Sequence, residues 1–282
     1  MNTETTEVQK QAVPGHQMLS VNMEDVCLRP WKYDVEPFHI MGRLYDIGNS
    51  WVSVYLIDTG DGLLLIDSAM AQNVYLTLEN VRKLGFNPKD IRWILLSHGH
   101  CDHCGGAADI AHYSGARIYL GKEDMFFFES RPDLIEYPFG YFQPFEVYAN
   151  YIDGQPMTFG DFTITAVHCP GHTPGTYSFF FDLEEDGKTY RAAMHGGLGV
   201  NTLTKEYLTA HHLPMSLQKD YVENLRRMRM EKVDVPIGSH TNHGGMLEKA
   251  ARIGKGPNPF IDPTGFARVI DARYQDFLYF CR

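Results

Sequence analysis

Runs and alternations of apolar residues divide the chain into short strands separated by helices. Residues 38–46 and 51–58 have strand character and are parted by the turn residues Gly48, Asn49 and Ser50. Residues 62–67 follow across Thr59-Gly60-Asp61-Gly62, whose Asp-Gly pair is a strong hairpin signal. Residues 71–84 then read as a helix, with Val74, Leu76, Leu78, Val81 and Leu84 along it and Gly85 as its stop. Residues 91–96 are apolar apart from Arg92, the pattern of a strand buried on both faces. A helix over 105–114 and a strand over 116–120 complete this half.

The second half repeats the order. Strands are expected at 161–167, 176–182 and 190–194, a helix at 216–230, a strand at 233–238 and a further helix from about Met246. Each half therefore runs hairpins, then helix, then strand, which implies two α/β halves packed sheet against sheet with helices outside. Residues 1–37 are polar and irregular and read as an N-terminal arm, with a single domain over 38–282. The stretch 125–151 is crowded with aromatics, among them Phe126, Phe127, Phe128, Tyr141 and Phe142, while Pro132, Pro138 and Pro144 break any long helix. It reads as an insertion, serving either as a hydrophobic plug or oligomer contact or as a lid that walls a pocket for an apolar substrate.

Composition narrows the class. With 44% hydrophobic and 21% charged residues over 282 positions, the chain has the make-up of a globular protein. The net charge of -10, from 25 Lys+Arg against 35 Asp+Glu, argues against a nucleic-acid partner and is compatible with bound cations. Apolar runs such as 62–66 and 94–96 fall far below the roughly 18 residues of a membrane span, so no membrane partner is expected. Five cysteines do not suggest a disulfide framework. Residues 1–20 carry Glu4 and Glu7 and lack an apolar core, so the expected location is cytoplasmic, and periplasmic or secreted only if a signal has been removed.

The chemistry concentrates in Ser97-His98-Gly99-His100-Cys101-Asp102-His103. Three histidines and an aspartate fall within six residues at the end of an apolar strand, and imidazole nitrogens and carboxylate oxygens are the ligands zinc favours. Gly99 lets the backbone bend so that His98 and His100 converge. Cys101 alternates away from that side, and Cys169 reads as a small buried hydrophobe. Further on stand Pro170-Gly171-His172-Thr173-Pro174-Gly175 and Val235-Pro236-Ile237-Gly238-Ser239-His240.

With these motifs the chain resembles the metallo-β-lactamase superfamily, whose signature is His-x-His-x-Asp-His, over about residues 38–253, and most closely its His-rich third subclass. The resemblance implies a four-layer αβ/βα sandwich. It implies two zinc ions per chain, the first on His98, His100 and His172, the second on Asp102, His103 and His240, with Asp67 supporting the metal loop from behind. His243 competes with His240 for the last place, but His240 directly follows the expected strand, and Glu248-Lys249 downstream sits as in the family. His168 and His112 read as structural.

The implied reaction is attack of a metal-bridging hydroxide on the carbonyl of a small-molecule substrate, with Asp102 orienting the nucleophile. Its closest named form is β-lactam ring hydrolysis; the alternative is an intracellular lactonase, ester or thioester hydrolase with little β-lactamase activity. One departure bears on the choice. Related β-lactamases carry Asp-Ser-x-Ser after the strand matching 190–194, and its serines hold the substrate carboxylate, whereas this chain has His195-Gly196-Gly197-Leu198-Gly199. His195 stands near where relatives place a bridging aspartate and is open to three roles: ligand, support behind a ligand, or substrate contact. Flavin-linked di-iron relatives carry Glu where this chain has His100, and nuclease relatives often carry an extra nucleic-acid domain, so neither reading is favoured. The sequence leaves the oligomeric state open.

Overall fold

The computed structural model describes residues 21–139 and 143–281. Residues 1–20 of the expected arm, and with them the signal-peptide reading, lie outside the described residues, as do Tyr141 and Phe142.

Strand β1 (Phe38–Met41) turns back at Gly42 into β2 (Leu44–Asp46), followed by β3 (Tyr55–Asp58), β4 (Leu63–Ile66), β5 (Ile91–Leu95), β6 (Arg117–Leu120) and β7 (Val147–Asn150). These seven strands form one sheet in sequence order among the described residues, antiparallel from β1 to β4 and parallel from β4 to β7. The second sheet contains β8 (Pro156–Phe159), β9 (Phe162–His168), β10 (Tyr177–Glu185), β11 (Lys188–His195) and β12 (Val235–Gly238), in the order β12-β11-β10-β9-β8. Only its β11–β12 pair is parallel.

Side chains of a strand alternate between its faces, and here both faces are buried. Tyr55, Ile57, Leu64 and Ile66 meet Phe179, Phe181, Ala192 and Met194 between the sheets. Leu56 and Leu65 instead pack beneath helices α1 (Met23–Leu28), α2 (Val74–Lys83), α3 (Cys101–Cys104), α4 (Ala107–Ser114) and α5 (Met125–Glu129), which supply Val26, Val81, Cys101, Ile110 and Phe127. On the far side, Phe180 and Ala193 are covered from α7 (Ser216–Arg229) and α9 (Gly265–Phe280) by Tyr221, Leu225 and Phe277. Short helices α6 (Lys205–Ala210) and α8 (Met246–Ala250) precede α7 and α9 respectively. The result is the expected layering of helices, sheet, sheet, helices.

Three local expectations change. The segment 38–46 is a hairpin rather than one strand, because Gly42 adopts φ +55 and its backbone lies so close to the Glu184 carbonyl that a Cβ would sit 2.7 Å from that oxygen. Residues 21–37 are not an irregular overlay: α1, capped by Asn22, buries Val26 and Cys27 in the core, and a 3-10 turn follows at Pro30–Tyr33. The described parts of the aromatic stretch are tied into the domain. Its first part packs into the core through Phe127, and its last part is edge strand β7. Helix α9, with Phe266, Ile270 and Phe277 buried along one side, lies beyond the last helix expected from the pattern.

Candidate metal centre

β4, β5 and β6 run parallel in one sheet, as do β9, β11 and β12 in the other, so their C-terminal ends can face one edge of the sandwich. Asp67 follows β4, Ser97 to His103 follow β5, His172 lies in the loop after β9, His195 ends β11, and His240 follows β12. The sheets are tied together at this edge. Tyr177 N donates to Ser97 O at 2.8 Å, Ser53 N to Ser239 O at 3.1 Å, Thr241 N to Trp51 O at 3.0 Å, and Tyr55 Oη to Gly238 O at 2.6 Å.

Two groups of ligand-type atoms result. His98, His100 and His172 offer nitrogens all within 4.8 Å of one another, and the Nδ1 of His100 lies 3.0 Å from the Nε2 of His172. In the second group, Asp102 Oδ2 lies 3.5 Å from the Nε2 of His103 and 3.5 Å from the Nε2 of His240, and those two nitrogens are 3.2 Å apart. The six residues expected as ligands are therefore brought to one narrow cleft of about 50 Å³, which Trp51, Glu136, Asn201, Asn242, His243 and Arg273 also line.

The hydrogen-bond network sets which nitrogen of each ring faces inward. Asp67, with no exposed surface, accepts from Ser97 N at 2.7 Å and from Ser97 Oγ at 2.9 Å, and takes the Nδ1–H of His103 at 2.7 Å. Since the Ser97 hydroxyl proton goes to Asp67, Ser97 Oγ accepts from His98 Nδ1 at 3.0 Å. His172 Nδ1 donates to the Gly199 carbonyl at 2.9 Å. The Nε2 atoms of His98, His103 and His172 are thereby left as lone pairs, and that of His98 is buried with no hydrogen-bond partner among the described residues.

Burial, reinforced by neighbouring imidazoles, holds His98 and His172 well below the usual histidine range and His100 at about 3. Burial opposes charge on His103 as well, but Asp102 and Asp67 outweigh it and raise its pKa. The neutral imidazoles of His98, His100 and His172, with Asp102 beside them, are the donor chemistry that fits divalent zinc.

His195 and His243 stand outside both groups. His195 is 2% exposed, its Nδ1 accepts from Gly197 N at 3.3 Å, and its Nε2 has no partner among the described residues. His243 stacks edgewise on His240 with ring centroids 5.2 Å apart, and it lines the cleft. His168 stacks on Tyr177, and its Nε2 lies 2.9 Å from the Pro174 carbonyl, a structural role as expected. Cys101 turns away, donating its Sγ–H to the Glu136 carbonyl at 3.2 Å, and Cys169 is buried.

Three residues escaped the sequence reading. Asp124, Glu136 and Arg273 carry no motif. Glu136 adopts φ +60, unusual for a residue with a side chain, and burial pushes its carboxyl up to about 7 with Asp102 adding to the rise, against a hydrogen bond from Tyr207. Arg273 pairs with Asp276 at 2.7 Å on α9. The regular spacing of apolar residues on α9 was the one available signal for that helix.

The departure after β11 also has a structural cause. A Cβ on Gly196 would lie 1.9 Å from the Tyr177 carbonyl oxygen, and one on Gly197 would lie 2.7 Å from His172 Cδ2. At Gly196 the carbonyl of the neighbouring strand β10, and at Gly197 the His172 ring, occupy the space a Cβ would need.

A family model described as the metallo-beta-lactamase superfamily matches residues 50–186. The solved structure of native FEZ-1 metallo-beta-lactamase from Legionella gormanii is 30% identical, covers 88% of this chain and 95% of its own, and superposes with a TM-score of 0.80. Hydroxyacylglutathione hydrolase GloC of Haemophilus influenzae is 30% identical over 43% of this chain and 58% of its own length. The atrochrysone carboxyl ACP thioesterase of Passalora fulva is 28% identical over 70% of this chain and 49% of its own. The chain thus spans about half the length of the curated relatives it matches.

Proposed function

This chain belongs to the metallo-beta-lactamase superfamily, and we propose that it is a zinc-dependent hydrolase of small carbonyl compounds. In this reading His98, His100 and His172 hold one ion, and Asp102, His103 and His240 hold a second. The observation that supports it is the convergence of His98, His100 and His172 beside Asp102, His103 and His240, with the rings of His103, His98 and His172 turned inward by Asp67, Ser97 and Gly199.

Zinc ions bound there would supply the positive charge that polarises a carbonyl and eases the ionisation of water near neutral pH. The rest falls to the chain itself. Asp102 has the one carboxylate within the two groups, and in this reading its Oδ2 orients a water molecule and takes a proton from it. Asp67 keeps His103 in its Nδ1–H form, and Gly199 does the same for His172, so neither ring can turn its protonated nitrogen inward. No serine or cysteine nucleophile is required: Cys101 and Cys104 are buried thiols whose pKa burial raises well above the ordinary value.

Two substrate classes are in play. Likeness to the FEZ-1 metallo-beta-lactamase favours β-lactam opening. Thioester hydrolysis is favoured by the absence of carboxylate-holding serines after β11, where Gly196 has no room for a Cβ, and by likeness to a thioesterase and to hydroxyacylglutathione hydrolase. A panel of β-lactams, lactones, thioesters and simple esters, assayed with and without chelator alongside metal analysis, tests the reading. Chelator-sensitive turnover of at least one class is expected; full activity in metal-free protein would overturn it.

A further inference from the structure

Asp124 lies outside both ligand groups and outside every motif in the sequence, yet it is wholly buried. Its carboxylate is spent on two loops. Oδ2 accepts from the backbone N–H of Gly99 at 2.9 Å and from the Thr173 hydroxyl at 2.8 Å, and Oδ1 accepts from the backbone N–H of Gly175 at 2.6 Å. Gly99 sits between His98 and His100, while Thr173 and Gly175 flank His172 on its C-terminal side. One carboxylate thus holds the two chain segments that carry the three-histidine group, across sequence separations of 25, 49 and 51 residues.

The surroundings fit a clamp rather than an incidental buried acid. The Gly99 backbone approaches the Asp124 side chain and Phe127 so closely that a Cβ on Gly99 would lie 3.4 Å from Asp124 Oδ2 and 2.9 Å from Phe127 Cδ2. A Cβ on Gly175 would lie 2.6 Å from Asp124 Cγ. Thr173 is itself fixed, its Oγ1 lying 2.9 Å from Thr176 Oγ1 while its N donates to that same atom at 3.1 Å. By contrast the Asp102, His103 and His240 group receives nothing from Asp124; His103 is held by Asp67, and His240 borders Trp51.

We propose that Asp124 is a positioning residue for the His98, His100 and His172 group, locking the loop after β5 to the loop after β9 so that three nitrogens stay at metal-binding separation. The proposal rests on the metal-centre reading above. Outer hydrogen-bond partners of ligands typically contribute about 10- to 100-fold in metal affinity, and Asp124 acts one bond further back, through two loops at once.

The test is zinc titration of the full chain against a chromophoric chelator, which yields a dissociation constant for each site without any substrate. The constant that survives in His100→Ala identifies the site formed by Asp102, His103 and His240. Asp124→Asn is expected to weaken the other site by about 10- to 100-fold while leaving the surviving constant within about threefold. Thr173→Val, which removes one of the three donors and keeps side-chain shape, is expected to give a smaller shift at the same site and covers the case in which Asp124→Asn does not fold. Unchanged zinc affinity in both variants overturns the proposal, as does an equal weakening of both sites accompanied by a lower unfolding midpoint. Wild-type chain that binds two zinc ions but hydrolyses nothing would sink the hydrolase reading and leave Asp124 its role; wild-type chain that binds none would sink both.

Discussion

Asp67 Oδ2 and His103 Nδ1 meet at 2.7 Å, both side chains almost wholly buried, although 36 residues separate them in the chain. Asp67 makes this contact from a backbone at φ +64, a conformation that a residue with a side chain adopts only when its surroundings hold it there. The same carboxylate takes the Ser97 backbone N–H and hydroxyl, so one strained residue fixes the start of the loop 97–103 and the tautomer of one of its rings.

Asp67→Asn keeps the size and tolerates the positive φ, but its amide puts N–H donors against groups that already donate. Zinc affinity is expected to fall about 10- to 100-fold at the site containing His103. Equilibrium zinc titration reads this directly, and wild-type affinity would show that the contact does not orient the ring.

Stripping zinc with a chelator should abolish hydrolysis and lower the thermal midpoint, and restoring zinc should recover both. Binding to the folded state alone contributes about 2.7 kcal/mol at a free zinc concentration 100 times the dissociation constant. A midpoint that does not respond to zinc would contradict a metal centre built from these buried groups.

Gly196→Ser restores the residue type that β-lactam-hydrolysing relatives carry, yet it should not improve β-lactam turnover. The new Cβ meets the Tyr177 carbonyl at 1.9 Å, which the packed seam cannot relieve without moving backbone. Destabilisation of about 1–3 kcal/mol is expected, measured as a shift in denaturant midpoint. A variant of wild-type stability with enhanced β-lactamase activity would refute the steric account.

Asp46 lies 3% exposed behind the Trp51–Val54 segment, and burial pushes its carboxyl up to about 7, opposed by hydrogen bonds led by the Gly48 N–H. Its usual value is 3.8, so between about pH 4 and 7 the folded chain binds a proton that the unfolded chain has released. This contribution to stability is full below pH 4 and is lost as the pH rises to 7. Asp46→Asn removes the effect, so its stability relative to wild type should increase across that window and level off above it. A difference that stays constant from pH 4 to 8 in urea unfolding would exclude it.

Much of the site was legible because its signals are local. His98, His100, Asp102 and His103 fall within one turn-and-strand-end segment, and His172 and His240 each follow a recognisable strand. The inter-sheet core was legible for a similar reason: alternating or continuous apolar runs are short-range patterns. Helix α9 and strand β7 were missed at positions where the pattern was present but weak, and the hairpin inside residues 38–46 because Gly42 gave no more warning than any other glycine.

Asp124 and Glu136 were not legible. An aspartate before an aromatic run looks like any helix-start acid, and only the packing of two loops against it makes it a clamp. The same holds for Gly196, whose neighbour across the seam lies on another strand. The sequence by itself determined the candidate ligand types, their order and the strands that carry them, since side-chain chemistry and apolar periodicity are properties of a few consecutive residues. Which ring nitrogen faces inward, which acid ties two loops and where a side chain has no room were decided by tertiary structure, because they depend on ångström separations between groups as far as 137 residues apart, set when the strands and sheets pack together.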